Sequence, residues 1–317
     1  MKRIPLWLTV VPLLLAVAGY WWFWSGYKRE FRTEISALVP GRPLVLGGFP
    51  YRLEATVDAP VLEKRGTDFS ARLSAAKAIL NRGPWQPALT LIRGTDVRAV
   101  FAIPALPAAA LSITAPASQS SLHLDKDKRV ARLSTVFDRP RIDAALLGSP
   151  ATATRLEVHV RETPGRSPEA WSPTLPQRAQ VVLAATDLRL GSGAPLTMAA
   201  DLRVTGPTRL IDYARWAGSG TVEVHGLTLA DMTGEVMRLD GTVAVAGGAA
   251  RVSGTILTVC PETVRAALTG GQRVSEQRLR IAVKLAVGGA PGAWTLAGLP
   301  AATRAVRAQQ PACPVLR

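Results

Sequence analysis

Two kinds of apolar patterning divide the chain. From Leu6 to Trp24, LWLTVVPLLLAVAGYWWFW, apolar residues run without a single charge, whereas beyond Pro40 they alternate with polar residues in short runs closed by glycine, proline, aspartate or asparagine. The first pattern suits a helix in an apolar medium and the second suits antiparallel strands with one buried face. At about 1.5 Å per residue the first segment extends about 28 Å, close to a hydrocarbon core of about 30 Å. Trp21, Trp22 and Trp24 cluster with Tyr20 at its far end and Trp7 marks the near end, where amphipathic rings prefer the headgroup boundary. Residues 1–25 are therefore expected to be a transmembrane anchor. The competing reading is a signal peptide, with Lys2 and Arg3 as its basic region and Ala16-Val17-Ala18 as a cleavage site ending at Ala18. Lys2 and Arg3 face Lys28, Arg29 and Arg32 across the span, and the short N-terminal tail is expected to stay inside.

Residues 26–38, GYKREFRTEISAL, carry apolar positions at helical spacing and predict an amphipathic stalk over 26–40. Strand-like alternation then appears at 51–57, 68–76, 96–103, 155–160, 180–190 and 196–204. The block 216–258 reads as a meander, with Asp240-Gly241 as its strongest hairpin signal. A further strand is expected over 278–287, after a short helix PETVRAAL with Pro261 at its first position. Residues 208–216 and 299–309 are two more helix candidates. The predicted fold is all-β or β-rich α+β, an extended, twisted antiparallel meander with a few short helices. It occupies 41–317 as one unit or as two halves divided near 161–178, where RETPGRSPEAWSP is either a linker or a long surface loop. A second proline-rich break falls at 104–116.

With 48% apolar and 19% charged residues among 317, a real core can form. The net charge of +15 would attract phosphates, but Arg98, Arg132, Arg155, Arg189, Arg203, Arg251 and Arg280 are spread through strand-like stretches. That distribution reads as a solvated face. Lipid headgroups stay a candidate partner, and no nucleic-acid partner is expected.

Cys260 and Cys313 lie in TVCPE and PACPV. In an oxidising compartment they would form one disulfide tying the C-terminal tail to the domain; the alternative is two free buried thiols. His123, His159 and His225 stand isolated in strand-like alternation and read as half-exposed strand residues, without the spacing of a metal site. Asp125 and Asp127 sit beside lysines in a polar turn, and LGSGAPL (190–196) lacks the ending of a phosphate loop, so it reads as a turn. Trp85, Trp171, Trp216 and Trp294, near proline or glycine, are expected to seal sheet ends or to line an apolar groove. No catalytic residue, metal or cofactor is expected.

GGFPYRLEATVDAPVL (47–62), FSARLSAAKAILNRGPWQPALTLI (69–92) and WAGSGTVEVHGLTL with GEVMRLDGTV resemble the proteobacterial family of membrane-anchored proteins classed as domain of unknown function 2125. Gly48-Phe49-Pro50 and the arrangement Trp216, Gly218, Gly220, Leu239-Asp240-Gly241 carry most of the resemblance. It implies a periplasm-facing protein without assigned activity or established catalytic residues. More distantly, an anchor followed by glycine-punctuated strands is similar to AsmA-like envelope proteins, whose curled sheets present an apolar face to lipid. The expectation is a non-enzymatic, single-pass protein of the bacterial inner membrane, with most of the chain in the periplasm. Its expected partner is membrane lipid, around the anchor and as a ligand in a sheet groove. The alternative is a structural or assembly partner of other envelope proteins through edge-strand pairing. An envelope hydrolase would need His159 or His225 brought beside Ser and Asp.

Overall fold

The computed structural model describes residues 7–66, 70–102, 110–144, 149–165, 175–207, 220–246, 249–290, 293–298 and 310–317. Helix α1 (Trp7–Leu38) passes unbroken through the apolar segment and the expected stalk, with Pro12 inside it. The first half of the sheet comprises β1 (Leu44–Gly47), β2 (Leu53–Asp58), β3 (Val61–Arg65), β4 (Ser70–Ser74), β5 (Lys77–Arg82), β6 (Leu89–Ala102), β7 (Leu111–Leu124), β8 (Val130–Asp138) and β9 (Arg141–Ala144). The second comprises β10 (Ala151–Thr152), β11 (Arg155–Gly165), β12 (Gln177–Leu190), β13 (Leu196–Thr205), β14 (Thr221–Asp231), β15 (Gly234–Ala246), β16 (Ala249–Thr258), β17 (Val283–Ala290) and β18 (Ala293–Ala297), with helix α2 (Pro261–Thr269) before β17. All belong to one antiparallel sheet, the β-rich meander that the alternation predicts. β11 and β12 pair from Arg155 with Thr186 to Gly165 with Gln177, so the strands that flank the segment near 161–178 are neighbours in one sheet, while residues 166–174 lie outside the described residues. The helix candidates at 208–216 and 299–309 lie outside the described residues.

A transverse break crosses the first part of the sheet. Ala59, Ala76, Asp96, Pro116, Arg139, Thr154 and Asp187 stand opposite one another on successive strands, and the pairing keeps one register on both sides of them. Thus β2/β3, β4/β5, β8/β9 and β10/β11 are each one interrupted strand. For the same reason the pairings β7–β8–β11–β12–β10–β9 close into a six-membered antiparallel ring to which the other strands are added. Every second strand places a non-glycine residue in the left-handed region there: Ala59 (φ 45°), Asp96 (48°), Arg139 (44°) and Asp187 (51°). The extra residue changes the parity of inward positions, from Phe137 to Ile142, from Leu156 to Ala153, and from Ala185 to Leu188. Pro116 is tolerated in mid-strand because it sits in this break. Asp58-Ala59-Pro60 recurs as Asp138-Arg139-Pro140, and Thr95-Asp96-Val97-Arg98 as Thr186-Asp187-Leu188-Arg189. The sheet therefore repeats one three-strand unit on either side of β7.

The second half of α1 does not stand free as a stalk. Trp24, Phe31, Ile35 and Val39, spaced to share a helix face, are buried against Leu53, Ala55 and Val57 of β2. Each large apolar side chain so buried contributes about 1.5–3 kcal/mol. Arg82 on β5 spans the joint: its guanidinium lies 4.7 Å from the Phe31 ring centre, donates to Glu34 Oε2 at 2.6 Å and donates through Nε to Thr90 Oγ1 at 3.0 Å. Lys128 donates to Glu34 Oε1 at 2.9 Å from the β7–β8 turn.

Three details differ from the expectations. Asp240-Gly241 lies inside β15, and the hairpin turns instead at Met232-Thr233. Asp240 Oδ1 accepts from the Gly226 N–H at 2.8 Å, where Gly226 (φ 71°) forms a bulge in β14, so this aspartate serves a neighbouring strand. β17 begins at Val283 rather than 278, because residues 276–279 clamp the C-terminal tail. Gln277 bridges Ala312, the Arg278 N–H donates to Pro311 O and the Cys313 N–H to Glu276 O. The Glu276 carboxylate accepts from the Glu262 and Thr263 N–H groups and so caps α2 from outside the helix. β7 occupies 111–124, most of which the alternation had left unassigned.

Arg278 also donates to Asp231 Oδ1 at 2.6 Å, beside the Thr233 N–H and hydroxyl. Burial raises the Asp231 pKa, but the hydrogen bonds from Thr233 and Arg278 outweigh it and hold the carboxyl below its ordinary value of 3.8.

Asp96→Gly should leave stability within about 1 kcal/mol, whereas Asp96→Val should cost about 2 kcal/mol in urea denaturation, since a β-branched residue fits the left-handed region poorly. Phe31→Ala should cost about 3–5 kcal/mol and speed proteolysis between Val39 and Pro43. Asp231→Asn should destabilise by about 1–3 kcal/mol at neutral pH. Because the native pKa is lowered, that contribution is complete above the unfolded value near 3.8 and is lost as the pH falls through the native one. The two denaturation curves should therefore converge in acid.

Candidate functional site

The two faces of the sheet differ in chemistry. One face carries Leu53, Leu80, Ile92, Leu133, Phe137, Leu156, Val158 and Leu183 before the apolar cluster continues through Leu229, Ile256 and Leu285. Both helices pack on this face, α1 at β2 and α2 through Cys260 and Val264. Between them Leu122, Leu133, Val158, Val160 and Leu183 are only half-buried. Beyond the break, an open depression of about 460 Å³ is lined by Val100, Phe101, Ala102, Leu111, Ala144 and Pro150, among others. Among the described residues the apolar face is thus covered at two places and accessible between and beyond them.

The opposite face holds the charges. Arg155, Glu157 and His159 form one ladder, with Glu157 accepting from Arg155 Nε at 2.7 Å and lying 3.2 Å from His159 Nε2. The Arg155 guanidinium and the His159 ring hold the Glu157 carboxyl below the usual carboxylate range. Asp201 accepts from Gln180 at 3.0 Å and from Arg203 at 2.7 Å, and His225 lies 3.0 Å from Glu223. His159, Val182, Asp201 and His225 share one row of the sheet, which separates the two histidines by about 14 Å. They do not converge, and the exposed His123 sits on the same polar face opposite Arg132. The strand reading of all three histidines holds.

The other residues singled out in the sequence take structural places. Asp125 Oδ1 accepts from the Asp127 and Arg129 N–H groups and shapes the β7–β8 turn. The glycine-rich turn after β12 lets the tail pass: a Cβ on Gly193 would lie 2.9 Å from the carbonyl oxygens of Val315 and Leu316. Cys260 and Cys313 are bonded, with Cα atoms 5.9 Å apart, at the start of α2 and in the tail that the 276–279 segment clamps. No group of metal-ligating side chains occurs among the described residues.

The tryptophans divide. Trp21 and Trp22 are exposed, 60% and 74%, as an interface pair would be, but Trp24 is buried edge-on against Phe49 at 5.0 Å, with Lys28 Nζ over its ring. Trp85 seals nothing: it is 74% exposed and stacks on Tyr20 and Phe23. Trp294 packs against the main cluster, while Trp171 and Trp216 lie outside the described residues. Tyr51 and Arg82 carry no motif signal in the sequence, although both lie within the strings of the family resemblance, beside Gly48-Phe49-Pro50 and Gly83-Pro84-Trp85. Gly48 is required there, since at φ 94° a Cβ would lie 2.3 Å from Arg52 O.

Within α1, the helix over Val10–Leu38 is long and apolar enough to span a membrane, and residues 10–19 are exposed on every side. No curated protein and no solved structure matches the chain, so the likeness to AsmA-like proteins is not shown. A family model described as "Uncharacterized protein conserved in bacteria (DUF2125)" matches residues 41–255, from just past α1 into β16 and over about two thirds of the chain. The chain therefore belongs to DUF2125, a family of uncharacterized proteins conserved in bacteria.

Proposed function

We propose that this is a single-pass protein of the bacterial inner membrane whose periplasmic sheet binds lipid or another apolar envelope component without catalysing a reaction. The observation that carries the reading is the accessible apolar face joined to a helix of membrane length. Val10, Leu13, Leu14, Leu15 and Val17 lie exposed, which an aqueous setting would penalise and a bilayer would reward. The bonded Cys260 and Cys313 fit an oxidising compartment. The aliphatic side chains around the depression offer dispersion and area burial to an acyl chain. A second reading, assembly with another envelope protein, is favoured by β18, which pairs on one side only, with β17, among the described residues.

In membranes, alkaline phosphatase fused after Arg317 should be active, and an inactive fusion would sink the periplasmic placement. The full chain purified in mild detergent should carry phospholipid detectable by mass spectrometry. Leu111→Asp, which puts a charge into the depression, should lower it several-fold. A chain free of lipid, crosslinking in fixed ratio to one protein, would instead establish the assembly reading.

A further inference from the structure

The loops that flank α1 on the sheet carry exposed aromatic rings at one level of the helix. Phe49 and Tyr51, in the turn after β1, are 51% and 85% exposed, and Trp85, in the turn after β5, is 74% exposed. Water penalises such surface, and large rings exposed on neighbouring loops of a soluble domain mark a contact surface. The height of Phe49 and Trp85 along α1 is set by direct contacts, and Tyr51 follows Pro50 in the same turn as Phe49. Trp85 stacks on Tyr20 at 6.4 Å and on Phe23 at 5.9 Å, while Phe49 lies 6.1 Å from Tyr20 and 5.0 Å from Trp24. The Tyr20 hydroxyl donates to Pro50 O and the Tyr27 hydroxyl to Gly83 O, so each loop is tied to the helix by a phenol.

Resting on the reading of α1 as a membrane anchor, we infer that these two loops are themselves a membrane-contact surface, inserted into the outer headgroup layer of the bilayer that α1 crosses. The helix rise decides it. From Trp7 to Tyr20 α1 advances about 20 Å and to Trp24 about 26 Å, less than a hydrocarbon core of about 30 Å. Trp24 thus falls about 4 Å and Tyr20 about 10 Å short of the far boundary, so rings packed on Tyr20, Phe23 and Trp24 lie on the approach to the boundary that Trp and Tyr prefer.

The backbone of both loops suits that depth, where an unpaired polar group is costly. Pro50, Pro84 and Pro87 have no N–H to satisfy. The carbonyls of Gly48, Gly83 and Gln86 accept from the Arg52, Gln86 and Leu89 N–H groups, and those of Pro50 and Gly83 take the two phenols. Lys28, over the Trp24 ring, and Arg52, next to Tyr51 in the chain and paired with Glu54 at 3.0 Å, supply positive charge near this level for lipid phosphate. The sheet would thus rest on the bilayer by the end of β2 and β5, with its polar face in water.

The test uses the full chain in vesicles of equimolar phosphatidylcholine and phosphatidylglycerol, with bimane attached to Trp85→Cys, Tyr51→Cys, Trp22→Cys or Met232→Cys. Cys260 and Cys313 are bonded and do not take the label. A lipid nitroxide near the ester carbonyl should quench positions 85, 51 and 22 alike, by about two-fold or more, while the fully exposed 232 stays bright. Quenching at 22 with none at 85 and 51 overturns the inference and leaves the anchor standing. A bimane on Leu14→Cys that escapes a nitroxide in mid-acyl chain overturns the anchor and the inference together.

Discussion

The burial of Phe31 between α1 and the first strands is the contact on which the remaining architecture depends. It joins a helix that is exposed over residues 10–19 to the apolar face of the first strands. Arg82 makes the joint specific, because one guanidinium meets the Phe31 ring, the Glu34 carboxylate and the Thr90 hydroxyl at once. A charge so placed is paid for only if all three partners are present, and they come from two elements distant in sequence. The height of the sheet above the apolar segment follows from this single docking.

The transverse break gives the sheet its second constraint. Strands as long as β6 and β7, fourteen residues each, would otherwise hold one alternation from end to end. One extra residue on every strand along a common row exchanges the inward and outward sets while preserving the pairing. The apolar face thereby stays on the same side of the sheet above and below the row, through Ile92 and then Val97, or Leu156 and then Ala153. Aspartate tolerates the left-handed region, which accounts for Asp96 and Asp187; Ala59 and Arg139, each followed by proline, adopt it without that side-chain advantage.

The net charge of +15 is met along the polar face by local pairing, in which arginines and acidic residues alternate on the same strand. Arg155, Arg203 and Arg238 pair with acidic residues two positions away on the polar face, Arg155 and Arg238 solvated and Arg203 largely buried. What is left for recognition is apolar area, and its availability beside a membrane-length helix is the physical basis for reading the protein as a binder of envelope lipid.

Much was legible without the structure. Charge-free length disclosed the helix, period-two alternation disclosed the strands, and both arise from local geometry that any neighbour must respect. Pairing over long range was not legible. Asp240-Gly241 has hairpin chemistry, yet Gly241 lies against Gly254 across β15 and β16, and Asp240 turns to the Gly226 bulge. Pro116 reads as a strand breaker until Asp96 and Arg139 are seen to break beside it. The stalk is amphipathic in the sequence because residues 26–38 carry apolar positions at helical spacing, but only the partner strand decides whether such a face is solvated or docked. Local pattern determines what each segment can be; which segments cover one another depends on contacts between residues far apart in the chain, and no periodicity encodes those.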